Sequence, residues 1–310
     1  MKILAFGWWK NSGNIGDEAI YLGVRELFKE HEIISLPSFI FRKPFKTLKE
    51  YVTIFDNADL VMMTGGTPIY DYDHLLRTFH MLLPKLLNKP FVLFGIGVKP
   101  LHSYVGRSLV RKLVDMADKI SVRDPISARI LKAIGIRKEC KVTGDSAMVL
   151  KSQSFKFDKK GFVAICPRRL SIDYKKHYHQ QLSNDQIRTI RKKFKRMIEE
   201  EWGEKIVLPF HTDHYDDDLK EAEMLGLTNY QKLLIKDPRQ MLYLISKSRK
   251  VIGMRLHSLI FAFISGVDFE TILYDIKIKG FLQLIETSTK NEIIKQIRDE
   301  AKSVVDLVKN

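Results

Sequence analysis

Lys2-Ile3-Leu4-Ala5-Phe6 is a short apolar run, and Gly13-Asn14-Ile15-Gly16-Asp17-Glu18 follows it at the start of an amphipathic segment. The run predicts a buried β-strand, and the spacing after it predicts a helix. Two glycines permit a tight turn between them, and we expect Asp17 to cap the helix. The helix N-terminus either offers its N–H groups to a ligand or follows a turn without one. The glycine spacing differs from GxGxxG, so a nicotinamide cofactor is not expected.

The rest of the chain repeats this alternation of strand and helix. In the first half, six apolar runs predict strands: Lys2–Phe6, Glu32–Leu36, Leu60–Thr64, Phe91–Gly95, Lys119–Val122 and Lys141–Thr143. After a polar stretch at 151–160, further strands are predicted at Phe162–Cys166, Ile206–Pro209, Lys250–Gly253 and Thr271–Tyr274. Helices are predicted at Asp185–Glu201, Asp216–Leu225, Pro238–Ser246 and Leu256–Ser265.

This alternation predicts an α/β fold with two Rossmann-like lobes, each built on a parallel sheet. We place the lobes at residues 1–155 and 156–310. Apolar residues recur at helical spacing from residue 291 onward, and we expect this C-terminal helix to pack back across the lobes. Ligands bind at the carboxyl ends of parallel strands, so the residues just after each strand are the candidates for function.

Composition excludes several classes of protein. The 310 residues include 52 Lys+Arg against 37 Asp+Glu, a formal net charge of +15, and 45% are hydrophobic, which excludes an intrinsically disordered chain. Cys140 and Cys166 form no CxxC pair, so we expect no disulfide framework, no zinc site and a reducing, cytoplasmic compartment. We expect no signal peptide, and no apolar stretch approaches the roughly 20 residues of a membrane span. The net positive charge is compatible with binding to nucleic acid, to an anionic membrane or to small anionic substrates.

Small and acidic residues follow the strands of the first half. Gly65-Gly66 lets a ligand approach the backbone closely, and Asp71 or Asp73 beyond it could accept a proton from a hydroxyl group. Carboxylates in such a loop are also common as solvated or capping residues. Gly97 comes shortly after the next predicted strand, and His102 lies close by in sequence. This end of the first sheet is therefore a candidate binding edge.

Cationic residues follow the strands of the second half. Arg168 and Arg169 come directly after one strand, and Arg255 and His257 lie where another strand turns into a helix. The planar guanidinium group suits carboxylate and phosphate, and a histidine at a helix N-terminus can join an anion site or donate a proton. Successive side chains of a strand point to opposite faces, and this alternation favours Arg168 over Arg169 as the residue that binds the ligand. Together these residues predict a receptor for a small dianion or trianion.

Six short motifs occur in order along the chain: Gly13–Glu18, Gly65-Gly66 through Asp71, Gly95–Gly97, Val122–Pro125 with Ser127, Gly144–Ala147 and Arg255-Leu256-His257. Their order and spacing resemble the polysaccharide pyruvyl transferase family over roughly residues 1 to 285. The resemblance implies a GT-B-like fold in which two lobes face each other across a cleft. It also implies transfer of the pyruvyl group of phosphoenolpyruvate to paired hydroxyls of a sugar in a cell-surface polysaccharide or its precursor, with release of phosphate and without a metal or other cofactor.

The resemblance also implies roles for individual residues. Arg255, Leu256 and His257 would bind the donor together with Arg168, and His257 would be the general acid. Asp71 would be the base for the acceptor hydroxyl. The residues assigned to the acceptor side or the cleft are Asn14, Gly16, Asp17, Gly65, Gly66, Asp71, Gly97 and His102. We expect Arg123 and Asp124 to join a strand end to the following helix by ion pairing and capping.

Two other functions remain open at the level of sequence. One is a GT-B glycosyltransferase that uses a nucleotide-sugar donor, because the same fold serves both chemistries. The other is a protein that binds nucleic acid or anionic lipid without catalysis, but the basic runs lie on amphipathic helices and no nucleic acid partner is expected. The partners that we expect are phosphoenolpyruvate and a sugar or lipid-linked oligosaccharide acceptor. The basic surface adds a possible peripheral contact with the anionic inner face of the membrane.

Overall fold

Two parallel β-sheets organise the chain. The computed structural model describes residues 1–7, 13–36, 48–70, 74–170, 182–212 and 217–309. The chain divides into two compact units, the first made of residues 1–10, 20–149 and 279–310, and the second of residues 11–19 and 150–278. The predicted boundary after residue 155 lies inside the second unit, and segments 11–19 and 279–310 are each grouped with the other half of the chain.

The first unit contains a six-stranded sheet whose strand pairs are all parallel. Its strands are β1 (Lys2–Phe6), β2 (Glu32–Ser35), β3 (Leu60–Thr64), β4 (Phe91–Ile96), β5 (Lys119–Val122) and β6 (Lys141–Val142). In space their order is β2-β1-β3-β4-β5-β6. From β1 the chain builds β2 on one side and β3 on the other, so the order reverses between β1 and β3. Such a switch point opens a crevice at the carboxyl ends of the two strands.

The second unit contains a five-stranded parallel sheet. Its strands are β7 (Val163–Cys166), β8 (Lys205–Val207), β9 (Gln231–Lys232), β10 (Lys250–Gly253) and β11 (Asp268–Glu270). In space their order is β11-β10-β7-β8-β9, which corresponds to the Rossmann order 3-2-1-4-5 read from the opposite edge. The switch point of this sheet lies between β7 and β10.

Helices connect most of the strands and cover the sheets. The helices among the described residues are α1 (Ile15–Leu27), α2 (Leu48–Asp56), α3 (His74–Leu86), α4 (Tyr104–Asp115), α5 (Pro125–Ala133), α6 (Asn184–Glu199), α7 (Asp218–Met224), α8 (Pro238–Lys247), α9 (Leu256–Ser265), α10 (Ile276–Thr287) and α11 (Lys290–Lys309). None of these helices is both long enough and apolar enough to cross a membrane.

The sheets form because their strands are apolar on both faces. All five residues of β3 and all six of β4 are buried, as expected for parallel strands covered by helices on both sides. Helix α4 turns one apolar stripe, with Leu113 and Val114, toward this core. It starts where the Ser103 side chain accepts a hydrogen bond from the Gly106 amide. Local capping and burial of a stripe therefore set its position.

The predicted strands agree with the structure at most positions, but one is wrong. Residues 271–274 form no strand, and the edge strand is β11, in which Asp268 pairs with Lys250 and Glu270 pairs with Ile252. Pairing stops there because β10 ends at Gly253 and the chain continues into α9. The Tyr274 side chain instead donates a hydrogen bond to the backbone. Strand β9 and helix α10 were not predicted.

Helix α11 packs within the first unit. It buries the apolar side chains of Ile293, Ile297 and Val304. A Cβ on Gly144, which has a φ of +113°, would lie 2.6 Å from Cγ2 of Ile293. The helix therefore rests on the backbone of the turn that follows β6. Cys140 and Cys166 are free thiols.

The packing of α1 on the turn at residues 146–149 gives a test of the fold. A Cβ on Gly23 would overlap the carbonyl oxygen of Ser146. Because that atom belongs to buried backbone, Gly23→Ala is expected to lower the free energy of unfolding by about 1–3 kcal/mol, measured by urea denaturation. Glu26→Ala, at an exposed position of the same helix, is the control and should change it by less than about 0.5 kcal/mol. Equal stability of the two variants would show that α1 does not pack this closely.

Candidate functional site

The predicted cationic residues of the second unit meet at the switch point of its sheet. Strands β7 and β10 pair directly, with Gly253 beside Cys166. Arg168 lies two residues after the end of β7, and Arg255 lies two residues after the end of β10. Both side chains are nearly inaccessible to solvent. The topology therefore brings two buried guanidinium groups to the sheet edge where ligands of this fold bind.

A fully buried carboxylate holds the Arg255 side chain in place. Asp218 accepts hydrogen bonds from Nη2 of Arg255 at 2.5 Å and from Nε at 3.1 Å. The same carboxylate accepts hydrogen bonds from the backbone amides of Phe210 and His211 at 2.9 and 3.0 Å. Four donors thus satisfy Asp218, and the guanidinium group has a fixed orientation. The sequence placed Asp218 only at a predicted helix start, because its partner lies 37 residues away.

A second network holds Arg168. Its Nη1 donates to the Tyr274 hydroxyl at 3.2 Å and lies 3.4 Å from Oδ2 of Asp275. The Tyr274 hydroxyl in turn donates to the carbonyl oxygen of Met254 at 2.6 Å. Burial raises the pKa of Tyr274 to about 12, so the phenol is a neutral donor at ordinary pH. Tyr274 therefore links Arg168 to the backbone just before Arg255.

His257 lies in the first turn of α9 against the start of α1. A Cβ on Gly16 would overlap Nδ1 of the imidazole, so only glycine allows this contact. The amide of Ile15 donates to the carbonyl oxygen of Phe210 at 2.8 Å, which ties α1 to the chain segment that Asp218 also holds. The first turn of α1 thus belongs to the site of the second unit.

Asp17 does not cap α1 as the sequence predicted. The helix begins at Ile15, and the cap is Asn14, whose Oδ1 accepts a hydrogen bond from the Gly16 amide at 3.0 Å. Nδ2 of Asn14 donates to Oδ2 of Asp17 at 3.0 Å. Burial raises the pKa of Asp17, and the opposing influence comes from His257, His211, Lys277 and Arg255 in that order.

The structure therefore regroups the predicted site residues. Asn14, Gly16 and Asp17, which were assigned to the acceptor side or the cleft, lie in the part of α1 grouped with the second unit, where Gly16 contacts His257. Sequence reasoning gave no role to His211 or Asp218. The sequence offers only a weak indication of the role of Asp218. Adjacent aspartates before a helix usually cap that helix, as Asp217 does for α7.

The other glycines of the predicted binding edge, Gly65, Gly66 and Gly97, lie close together in the first unit. Gly65 and Gly66 follow β3 with φ values of +78° and +42°, and the Gly97 amide donates to the carbonyl oxygen of Gly66 at 3.0 Å. A Cβ on Gly97 would lie 2.6 Å from that oxygen and 2.7 Å from Cζ of Arg123. His102 is exposed in the loop before α4. Asp71 lies outside the described residues.

The structural role predicted for Arg123 and Asp124 is confirmed. Nε of Arg123 lies 3.3 Å from Oδ2 of Asp124, and Nη2 donates to Oγ1 of Thr67 at 3.0 Å. Asp124 caps α5 by accepting the Ser127 amide at 2.8 Å. Asp145 faces Arg123 at 3.7 Å. These buried charges hold together the loops around Gly66 and Gly97.

Within the described ranges, three or more His, Cys, Asp and Glu side chains nowhere gather closely enough to hold a metal ion. At the two strand ends of the second unit, Asp275 and Asp218 pair with Arg168 and Arg255.

The sequence profile described as polysaccharide pyruvyl transferase matches residues 14–275. The chain belongs to this family. The match includes both networks around Arg168 and Arg255 and the first turn of α1. The protein is thus a pyruvyl transferase by family and a transferase by class. No curated protein matches the chain by sequence at a significant level.

Solved structures share the fold of this pyruvyl transferase family member. UDP-GlcNAc 2-epimerase from Neisseria meningitidis is 15% identical with a TM-score of 0.54, and the alignment covers 100% of both chains. UDP-N-acetylglucosamine 2-epimerase from Rickettsia bellii is 11% identical with a TM-score of 0.54, covering 98% of this chain and 96% of that one. The putative enzyme of that name from Listeria monocytogenes is 13% identical with a TM-score of 0.52, covering 98% and 88%. These are GT-B fold enzymes, so the predicted α/β class with two Rossmann-like parallel sheets is confirmed.

The pair formed by Arg255 and Asp218 predicts a large effect on stability. Asp218→Asn leaves a buried guanidinium without its counter-charge, so we expect the free energy of unfolding to fall by about 3–5 kcal/mol in urea denaturation. Asp217→Ala is the neighbouring control, since Asp217 only caps α7 through the Leu219 amide, and its loss should cost about 1 kcal/mol. Equal losses for the two variants would mean that the ion pair does not anchor this site.

Proposed function

We propose that the protein transfers the pyruvyl group of phosphoenolpyruvate to two hydroxyl groups of one sugar, forming a ketal and releasing phosphate. The observation that carries this proposal is the pair of buried arginines at the switch point between β7 and β10, with His257 in the adjacent helix turn. Phosphoenolpyruvate carries a carboxylate and a phosphate on one small carbon frame. Two oriented guanidinium groups match its charge and its planar oxyanions.

The proposed roles follow from the chemistry of the donor. His257 adds a proton to the methylene carbon, which makes C2 electrophilic. One sugar hydroxyl adds to C2 and gives up its proton, the C2–O bond to phosphate breaks, and the second hydroxyl closes the ketal and gives up its proton. Arg168 and Arg255 stabilise the negative charge that develops on the leaving phosphate. Leu256, which is buried in the first turn of α9, is a further proposed contact of the donor.

We propose that the acceptor sugar binds at the loops of the first unit. Support comes from the close approach of Gly97 to Gly66 beside the switch point between β1 and β3. Loops built from glycine leave backbone amides and carbonyls accessible to sugar hydroxyls. Asp71, which follows these loops in sequence, is the proposed base for the acceptor hydroxyl, and His102 is a further candidate contact. We propose that the reaction needs no metal and no cofactor, with arginines supplying the positive charge.

Calorimetric titration tests the donor. Phosphoenolpyruvate should bind to the wild type, and phosphate release should follow when sugars with paired free hydroxyls are added. His257→Gln should retain donor binding but lose about 10²–10⁴-fold in the rate of phosphate release, because a positioned acid contributes that much. His31→Gln, in the first unit before β2, is the matched control and should keep the full rate.

The same calorimetric titration tests a nucleotide sugar as the alternative donor. If a nucleotide sugar binds and phosphoenolpyruvate does not, the protein is a GT-B glycosyltransferase and the proposed reaction is wrong. An unchanged rate in His257→Gln would remove only the assignment of the acid.

We also propose a peripheral contact with the anionic, cytoplasmic face of a membrane, through a surface on α4. At its N-terminus Tyr104 and Val105 are 80% and 72% exposed. Arg107, Arg111 and Lys112 follow on exposed positions of the same helix. Exposed apolar side chains beside a row of cations complement a lipid surface with negative headgroups.

Flotation with liposomes tests this contact. The wild type should float with phosphatidylglycerol vesicles and not with phosphatidylcholine vesicles. Replacing Arg107 and Arg111 by Gln should weaken binding by about 2 kcal/mol, or roughly 30-fold, at about 1 kcal/mol for each cation. Leu234→Ser, which changes an exposed apolar residue of the second unit, is the control. Absence of flotation at low salt, or equal flotation of all variants, would overturn the contact.

A further inference from the structure

Near the strand ends of the second unit, Arg255 pairs with Asp218, and Nζ of Lys277 lies 3.8 Å from Oδ2 of Asp275. Asp17 is a further carboxyl group in these surroundings. It lies in the first turn of α1, the segment grouped with the second unit. Four side chains lie close enough for their charges to act on it: His257 and Arg255 from the β10–α9 turn, His211 from the segment after β8, and Lys277 from α10. The same surroundings make up the proposed donor site. One acid therefore shares its space with the groups that would hold an anion.

The position of Asp17 is defined by the backbone around it. Asn14 both caps α1 and donates to the Asp17 carboxyl group. The neighbouring residue, Gly16, is in direct contact with the imidazole of His257. An anion held by His257 would thus come close to the Asp17 carboxyl group, and two negative charges would meet in a partly buried place.

We infer that Asp17 takes up a proton when the donor anion binds. The identity of the donor rests on the proposed function, but the coupling follows from the charges around Asp17. A carboxylate repels an incoming anion, whereas a neutral carboxyl group does not and can donate a hydrogen bond to it. Burial already raises the pKa of Asp17 before any anion arrives. The proposed reaction begins by adding a proton to the donor, so a proton taken up beside His257 is held where the chemistry uses it.

Other titratable groups must be separated from Asp17. His211 and His257 can also gain a proton near an anion, and so can the donor phosphate, whose second pKa is about 6. Asp218 is fixed by four hydrogen bonds, and Glu18 is the next acid on α1. The informative quantity is therefore the difference in proton uptake between the wild type and Asp17→Asn, in which the uptake by the donor phosphate itself cancels. His211 and His257 are coupled to the charge of Asp17, so any change in their uptake is part of the effect of Asp17.

Calorimetry in two buffers of different ionisation enthalpy measures that difference between about pH 7 and pH 8.5. The probes are phosphoenolpyruvate and inorganic phosphate. We expect the wild type to take up as much as about one proton more per bound anion than Asp17→Asn. Because binding then requires a proton, the affinity of the wild type for the anion should fall as the pH rises. The fall should be steeper than that of Asp17→Asn by up to about tenfold per pH unit. Glu18→Gln is the matched control and should behave as the wild type.

Each outcome has a distinct meaning. If both anions bind and the wild type and Asp17→Asn take up equal numbers of protons, the role of Asp17 is overturned and the proposed function stands. Binding of phosphate alone, with the extra uptake, supports the role of Asp17 and counts against phosphoenolpyruvate as donor. No binding of either anion overturns both. If Asp17→Asn fails to show a cooperative unfolding transition, Asp17→Ser replaces it, and the same difference decides.

Discussion

The bidentate contact between Arg255 and Asp218 is the interaction on which the candidate site depends. Asp218 also accepts the amides of Phe210 and His211, and the carbonyl oxygen of Phe210 accepts the amide of Ile15. One buried carboxylate therefore connects the turn after β10, the segment after β8 and the start of α1. Removing either charge leaves the other buried without compensation, which costs far more than an exposed ion pair contributes.

The buried charges of the candidate site lower the stability of the fold. Arg168, Arg255 and Asp218 are buried charges whose desolvation must be offset by hydrogen bonds. Asp17 is partly buried, and the loss of solvation raises the pKa of its carboxyl group. An apolar cluster in this place would be easier to stabilise, but it would not bind an anion. Sites of this kind are where natural proteins give up stability for activity.

The strands were the most predictable part of the fold. Leu60–Thr64 and Lys250–Gly253 were predicted residue for residue because buried parallel strands are continuous apolar runs. The strand predicted at Thr271–Tyr274 was wrong: Leu273 is exposed, and the Tyr274 hydroxyl donates to the carbonyl oxygen of Met254. The more polar segment Asp268–Glu270 pairs with β10 instead. A short edge strand is decided by its partner and not by its own composition.

The sequence by itself determined the α/β alternation, the strand ends that hold the candidate site residues and the pair of arginines, since burial patterns and turn residues are local properties of the chain. Only the tertiary structure decided that Asn14, Gly16 and Asp17 lie with His257 and not with the glycine loops of the first unit. It also decided that Asp218 holds Arg255. Those contacts join residues tens to hundreds of positions apart. Which of them meet depends on strand order and on where the chain crosses between units, and no local pattern records either.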